Sequence, residues 1–301
     1  MTQVRANDLI EHCLTQANED LRKAFDAEII FFRSPLLMGT DDSVREYIEE
    51  IVEKVAKNKR KNKLCVLIET SGGYIETVER IYSVFRRYFT EVFFVIPNFA
   101  YSAGTVLVLS GDEIYMDYYS VLGPIDPQID GEDGNSSVPG MGYLVKFNQL
   151  VKKINDDSSG NQTRAEMAYL VSKFDPAKLF FIEQAKDHAI ELLKVWLPKH
   201  KFKDWTVTHA QGKPVDDDMK KTRANEIAEI LGDPERWHSH GRGIGIRELE
   251  SDEIKIKIKN FGDDPKLNTP IRDYYALLID YLGKMGISYA IHGQLGVRRL
   301  G

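Results

Sequence analysis

The sequence predicts an α/β protein built on a mainly parallel sheet. Three observations carry this. Short apolar runs, "AEIIFFRS" (27–34), "LCVLIET" (64–70) and "EVFFVIP" (91–97), recur along the first third of the chain. Segments with helical periodicity lie between them, "TDDSVREYIEEIVEKVAKN" (40–58) and "IETVERIYSVFRRYF" (75–89). The runs are continuously apolar, as in strands covered on both faces, and the alternation of strand with helix favours right-handed crossovers.

Composition narrows the class. The 301 residues, 43% hydrophobic and 29% charged, are those of an ordinary globular protein. That length suits one large domain, or a core with an appendage. Forty basic against 46 acidic residues leave a net charge of -6, which argues against nucleic acid as a partner. The basic run "KNKRKNK" (57–63) reads as a solvated loop, with a patch for nucleic acid or an anionic surface as the minority reading. Cys13 and Cys65 offer neither a disulfide framework nor a metal site, and Cys65, inside an apolar run, reads as a buried free thiol. The opening "MTQVRANDLIEHC" has no apolar signal region, so a cytoplasmic location is expected. Val92 to Gly111 carries no charge and has the length of a membrane span. Pro97 and Asn98 break it, so a buried strand, a turn and a buried helix are expected there, with no membrane span.

The elements follow in order. Residues 4–26 read as an amphipathic helix able to pack on a core or a partner. The strand 27–34 comes next, then the helix 40–58, with Asp41, Asp42 or Ser43 as cap candidates. After the strand 64–70, "SGGY" turns the chain into the helix 75–89. The strand 91–97 leads to a further helix start at Ser102. "EIYMDYYSVLGPIDPQI" (113–129) supplies a short strand and a Pro/Gly-rich turn. Polar, glycine-rich stretches at 130–140 and 155–163 read as loops around a short helix, "YLVKFNQLVKKI". Residues 164–197 read as one or two helices, with Pro176 at a kink or a start. Residues 203–260 mix helix, a "WHSHGRGIGI" turn and a polar strand, "EIKIKIK". The tail reads as a loop, a helix "IRDYYALLIDYLGKM" and a frayed end. The division is therefore a helical arm (1–26), an α/β domain (27–260) and a helical tail (261–301). No internal repeat is visible.

Two turns carry candidate chemistry. In "TSGGY", Gly72 and Gly73 sit where a strand passes into a helix. Free amides there suit an anion, or the oxyanion of acyl transfer, and glycine lets a substrate carbonyl approach. A tight turn explains the same residues. In "PNFAYSAGTVLVLSG", Ser102 precedes an apolar helix, where the dipole and the Ala103 amide favour a negative oxygen. The pattern A-Y-S-A-G matches half of the G-x-S-x-G elbow, and the small residues, Gly104 included, also suit close helix–sheet packing. Neither a phosphate-binding G-x-x-x-x-G-K loop nor a G-x-G-x-x-G fingerprint occurs. Both turns fall at the carboxyl ends of adjacent strands, where open α/β sheets bind ligands.

The paired turns, with S-G-G, S-A-G-T, L-G-P-I-D-P-Q and the late "SHGRGI", resemble the serine dehydrogenase proteinase family. That family is related to signal peptide peptidase A within the Clp protease/crotonase superfamily. The resemblance spans roughly residues 20–255 and is densest over 64–129. It implies a Clp/crotonase-like repeated ββα spiral with a helical C-terminal extension. It implies a serine peptidase that uses no metal or organic cofactor and, in the chain itself, no ATP. Ser102 would be the nucleophile, with Gly73 and Ala103 donating the oxyanion-hole amides and Gly72 and Gly104 supporting the turns. Asp126 matches the aspartate of the motif and His240 the late histidine, with His238 a near competitor. No histidine lies between His12 and His188, which excludes the Clp order of triad residues. Signal peptide peptidase A takes a lysine as base, which keeps Lys146, Lys152, Lys153 and Lys178 as alternatives.

The expected partners are a peptide or protein substrate, added as a strand beside the glycine turn, and further copies of the chain in a homo-oligomer. Two other readings keep the fold: a catalytically silent peptide-binding or assembly module, and a crotonase-type acyl-CoA enzyme that needs no serine. Gly73→Val is expected to cut activity by roughly 10²-fold or more, with a smaller effect on stability.

Overall fold

The computed structural model describes residues 5–55, 60–130, 137–156, 168–169, 176–208 and 212–300. The chain opens with α1 (Ala6–Phe25), β1 (Glu28–Arg33), α2 (Thr40–Lys54), β2 (Lys63–Glu69), α3 (Ile75–Tyr88) and β3 (Glu91–Val95). It continues through β4 (Phe99–Ala100), α4 (Ala103–Leu109), β5 (Glu113–Met116), β6 (Val121–Leu122), and a hairpin of β7 (Gln128–Asp130) and β8 (Ser137–Pro139). Then come α5 (Gly140–Asp156), α6 (Pro176–Trp196), a π-helical turn (Leu197–Lys201), α7 (Asp217–Leu231), α8 (Pro234–Trp237) and α9 (Ile246–Leu249). Last are β9 (Lys259–Asn260), α10 (Pro265–Lys284), β10 (Ala290–Gly293) and β11 (Gly296–Arg299).

Seven strands form the main sheet in the order β11-β10-β1-β2-β3-β5-β9. From β1 to β9 all neighbours are parallel, while β10 and β11 are antiparallel additions beyond β1. The continuous apolar runs are explained by burial on both faces. Ile30, Phe32, Val66, Ile68 and Phe94 point into one cluster, with α2, α3, α4, α6 and α7. Ile29, Phe31, Cys65, Leu67 and Phe93 point into the other, with α1 and α10.

A second layer follows the first. Each of four main strands is succeeded, a few residues on, by a short second stretch: Leu36 after β1, Gly73 after β2, β4 after β3, and β6 after β5. These stretches pair with one another or with a strand end. Leu36 bridges Gly73, Thr70 bridges Ala100, and β4 lies parallel to β6. This is the structural form of the ββα repeat, and strands of one or two residues leave no repeat in the sequence.

Some local expectations are corrected. The cap of α2 is Gly39 (φ 86°) rather than Asp41, Asp42 or Ser43. The end of the chain is not frayed but forms β10 and β11, which cover the outer edge of β1. In "EIKIKIK" the alternation holds, with Ile254, Ile256 and Ile258 buried, yet only Lys259–Asn260 pairs as a strand. The segment read as an arm is α1, whose Leu14, Leu21 and Phe25 are buried against the sheet and α10. Pro176 starts a helix. The stretch 164–175 lies outside the described residues apart from 168–169, as do 157–163 of the second expected loop and 57–59 of the basic run. Among the described residues no helix is long and apolar enough to cross a membrane. The uncharged stretch 92–111 is β3, β4 and α4 with their turns.

Two buried histidines tie stability to pH. Burial, reinforced by the Arg86 guanidinium, pulls the His200 imidazole down to about 4, and its Nε2 lies 2.8 Å from the Tyr82 hydroxyl. Burial pulls His292 down to about 4 as well, with its Nδ1 2.5 Å from the Tyr274 hydroxyl. Both rings are neutral in the folded chain at pH values where the unfolded chain, with an ordinary value of 6.5, takes up a proton. The unfolded state therefore binds more protons between these values, and stability falls as pH falls through that window. Urea denaturation should give a free energy that is steady above about pH 7 and declines from about pH 6.5 towards pH 4, with a shallower decline in His292→Gln. A profile flat from pH 7 to 4 would contradict the burial of these rings.

Candidate active site

Ser102 follows Tyr101 between β4 and α4 and caps the helix, and its backbone is unusual, with φ 53° and ψ -124°. A non-glycine residue with positive φ costs on the order of 1–3 kcal/mol and persists only where its surroundings hold it. Here they do. The Tyr101 N–H donates to the Thr70 carbonyl at 3.0 Å, and the Thr70 N–H to the Phe99 carbonyl at 3.2 Å. On the far side, the Gly104 and Thr105 amides donate to the carbonyls of Tyr101 and Ser102, both at 2.8 Å. The helix that follows is buried at every position.

Thr105, a residue to which the sequence reading gave no role, binds three segments together. Its hydroxyl lies 2.9 Å from the Ala100 carbonyl and 2.8 Å from the Gly123 carbonyl, and it accepts the Gly123 N–H at 3.0 Å. The threonine of S-A-G-T is thereby joined to the glycine of L-G-P-I-D-P-Q. That joint is what the sequence could have signalled: two motifs kept in one register by one hydroxyl.

The glycine turn is pressed against the same point. Gly72 (φ 94°) sits where a Cβ would fall 2.7 Å from the Tyr101 oxygen and 2.8 Å from Ser102 Cβ. At Gly73 (φ 151°) a Cβ would lie 2.3 Å from the Leu36 oxygen. The Leu36 N–H donates to the Gly72 carbonyl and the Tyr74 N–H to the Leu36 carbonyl, each at 2.8 Å. The N–H groups of Gly73 and Ala103 find no protein acceptor among the described residues. Gly104 allows α4 to close on β2, since a Cβ there would meet Thr70 Cγ2 at 2.4 Å.

Asp126 and His240, far apart in sequence, are brought together. Leu122 and Ile244 exchange backbone hydrogen bonds of 3.0 and 2.8 Å, which lays the late loop along β6. The Ile125 N–H donates to the Leu231 carbonyl at 3.0 Å and pins the Pro124–Pro127 turn to the end of α7. Asp126 is 2% exposed, and its Oδ1 lies 2.9 Å from His240 Nδ1. A carboxylate only accepts, so the proton of a neutral imidazole belongs on Nδ1, leaving Nε2 as the free acceptor. His238 is different: it ends α8 in the left-handed region (φ 60°) and is exposed. Ser102 makes no hydrogen bond to His240, and its hydroxyl has no protein partner among the described residues. The structure thus assembles the turns of Ser102, Gly73 and Ala103 at one place, pairs Asp126 with His240 on segments tied to α4 through Thr105–Gly123 and to β6 through Leu122–Ile244, and makes no hydrogen bond between Ser102 and His240. Lys152 and Lys153 are exposed on α5, while the side chains of Lys146 and Lys178 lie outside what is described. No cluster of residues able to hold a metal occurs among the described residues.

A mainly parallel sheet shadowed by a ladder of second strands, with a helix closing each unit, is the Clp-like fold. The chain belongs to the ClpP-like SDH-type serine proteinase family, whose sequence profile matches residues 29–218. Over 188 residues it is 24% identical to the uncharacterized protein MJ0137 of Methanocaldococcus jannaschii, covering 61% of this chain and 62% of that protein. It is 28% identical over 110 residues to the uncharacterized protein MJ1495 of the same organism, covering 36% of each. The chain thus spans less than two thirds of either relative. Among solved structures, the 1510-N membrane-bound stomatin-specific protease is 13% identical, with a TM-score of 0.42 over 76% of each chain.

The geometry alters the expectation for Gly73. A side chain there meets backbone at Leu36, so stability suffers together with any activity. Gly73→Ala should cost on the order of 3 kcal/mol or more, because neither the φ nor the contact can relax cheaply. Gly39→Ala shares a positive φ but meets nothing within 4 Å, and should cost about 1 kcal/mol. Urea denaturation of both variants checks this, and equal losses would contradict the packing of Gly73 on Leu36.

Proposed function

We propose that this chain is a serine peptidase that cleaves peptide bonds through an acyl-enzyme on Ser102. The observation that carries the proposal is the 2.9 Å contact between His240 Nδ1 and the buried Asp126, on segments that the Thr105–Gly123 and Leu122–Ile244 bonds tie to the layer of the strained turn that presents Ser102. Asp126 orients the ring and favours the imidazolium that forms, following the logic of a serine–histidine–aspartate triad.

In this reading an extended peptide lies along the Gly72–Gly73 turn as an added strand. Ser102 Oγ attacks the carbonyl carbon while its proton passes to His240 Nε2. The carbonyl oxygen becomes an oxyanion on the unpaired Gly73 and Ala103 amides. The carbon–nitrogen bond then breaks, and the amine leaves with the proton from His240. Water, deprotonated by the same ring, attacks the ester and releases the acid and Ser102. The reaction as written uses only these groups and water. Self-association belongs to the same proposal, supported by the exposed Leu37, Met38 and Tyr74 next to the glycine turn.

The unmade bond between Ser102 and His240 favours a second reading, a silent peptide-binding module. Hydrogen bonds of catalytic groups often tighten only around substrate, so the open distance does not decide between the two. Intact-mass analysis after treatment with a fluorophosphonate does. A single adduct is expected, absent from Ser102→Ala. Peptidase activity should rise with pH as an imidazole becomes neutral, and His240→Ala should lower kcat by about 10⁴-fold, with a large loss also in Asp126→Asn. His200 and His292, held neutral by burial, add no inflection near pH 6–7. An adduct that persists in Ser102→Ala would remove the nucleophile. Full activity in His240→Ala would move the base to a lysine such as Lys146 or Lys178.

A further inference from the structure

Beside the glycine turn, over the carboxyl ends of β1 and β2, lies a cavity of about 420 Å³ that the proposed reaction leaves unused. Arg33, Glu69 and Ser71 wall it from the sheet, while Gly283, Ser288 and Tyr289 wall it from the end of α10 and the loop into β10. The volume lies in the range of small ligand sites. Ser71 lines the cavity and precedes Gly72, which packs on Ser102, so one wall of the cavity runs into the turn against the proposed nucleophile.

The chemistry of its walls is one-sided. Glu69 is 4% exposed, and both carboxylate oxygens are taken. Oε1 lies 2.9 Å from Arg33 Nε in an ion pair, and Oε2 accepts from Asn98 Nδ2 at 3.2 Å and from the Tyr275 hydroxyl. Glu69 therefore offers little to a cationic ligand. Arg33 meets Glu69 at Nε, its guanidinium makes no hydrogen bond to protein among the described residues, and a third of its side chain stays exposed. The Ser71 and Ser288 hydroxyls are likewise without a protein partner there. The guanidinium is the charged group on these walls without a hydrogen bond to protein among the described residues, and its open edge matches a carboxylate with two parallel bonds.

We propose that this cavity is a subsite that takes a carboxylate of the peptide, an inference that rests on the reading of the chain as a peptidase. An extended peptide advances about 3.3 Å per residue, so the carboxylate sits within a few residues of the bond cleaved. An acidic side chain or a C-terminal carboxylate carries the same group.

The test uses fluorescein-labelled alanine hexapeptides with Glu or Gln at one position, each made as free acid and as amide. Their binding to the full chain bearing Ser102→Ala is read by fluorescence anisotropy, and fluorophosphonate labelling of the wild type is read separately. Peptides with the carboxylate should bind roughly tenfold tighter than their neutral twins, the size expected of a charge-assisted bond. An advantage within the amide series assigns the acidic side chain; one confined to the free acids assigns the C-terminus. Arg33→Lys keeps a charge opposite Glu69 but loses the fork, and should reduce the advantage several-fold. Gly283→Leu, at a position where an added Cβ meets nothing within 4 Å, fills the cavity without touching the ion pair and should abolish the advantage. Equal binding of charged and neutral peptides overturns the subsite, as does an advantage undiminished in Gly283→Leu. A Ser102 adduct without carboxylate preference removes the subsite and leaves the peptidase, while a preference without an adduct does the reverse.

Discussion

Ser102, the Gly72–Gly73 turn and the loop of His240 hang on a few backbone hydrogen bonds between strands of one or two residues. The bonds of Thr70 to Phe99 and Tyr101 fix the end of β2 to β4. Those of Leu36 to Gly72 and Tyr74 fix the glycine turn, and the exchange between Leu122 and Ile244 fixes the late loop. Such short ladders have little stability of their own. They are held because the seven-stranded sheet beneath them is buried on both faces, and because α4 is buried at every position and packs directly behind Ser102. The Thr105 hydroxyl locks the layer by bonding to both Ala100 and Gly123. Strain at Ser102 is thus sustained by contacts made elsewhere, as is usual where a reactive side chain must stand away from its own backbone.

The two faces of the sheet divide the work. The face under α2, α3, α4, α6 and α7 carries the serine helix and the turns that bear Asp126. The face under α1 and α10 closes the far side, and β10 and β11 cover the edge of β1 that would otherwise offer unpaired backbone. The Arg33–Glu69 pair lies on this second face, at the carboxyl end of the strands, and shares its cavity with Ser71 of the glycine turn.

Much of the architecture was legible because it follows from composition over long stretches. Continuous apolar runs alternating with helical periodicity specify a covered parallel sheet, and glycines at the strand ends specify turns. What escaped was local or distant. The hairpin "AIHGQLGVRR" is short and half polar, and its strands are held by the edge of β1 rather than by their own pattern. The ββα repeat was invisible because its second strands are one or two residues long. The alternation in "EIKIKIK" gave the burial of its isoleucines but not their pairing, since only the end of the run reaches β5. The meeting of Asp126 with His240 depends on the Leu122–Ile244 bridge, which no spacing encodes, so only family resemblance pointed to it. The cavity at Arg33 depends on α10, whose place over β1 and β2 is a tertiary fact.

The central claim is that Ser102, His240 and the amides of Gly73 and Ala103 act on one carbonyl. A structure of the Ser102 phosphonate adduct tests it most directly. The account predicts the phosphonyl oxygen about 2.7–3.1 Å from both amide nitrogens, and His240 Nε2 within hydrogen-bond reach of Ser102 Oγ while Nδ1 keeps its contact with Asp126. A phosphonyl oxygen turned into solvent, with His240 remote from Ser102, would contradict it.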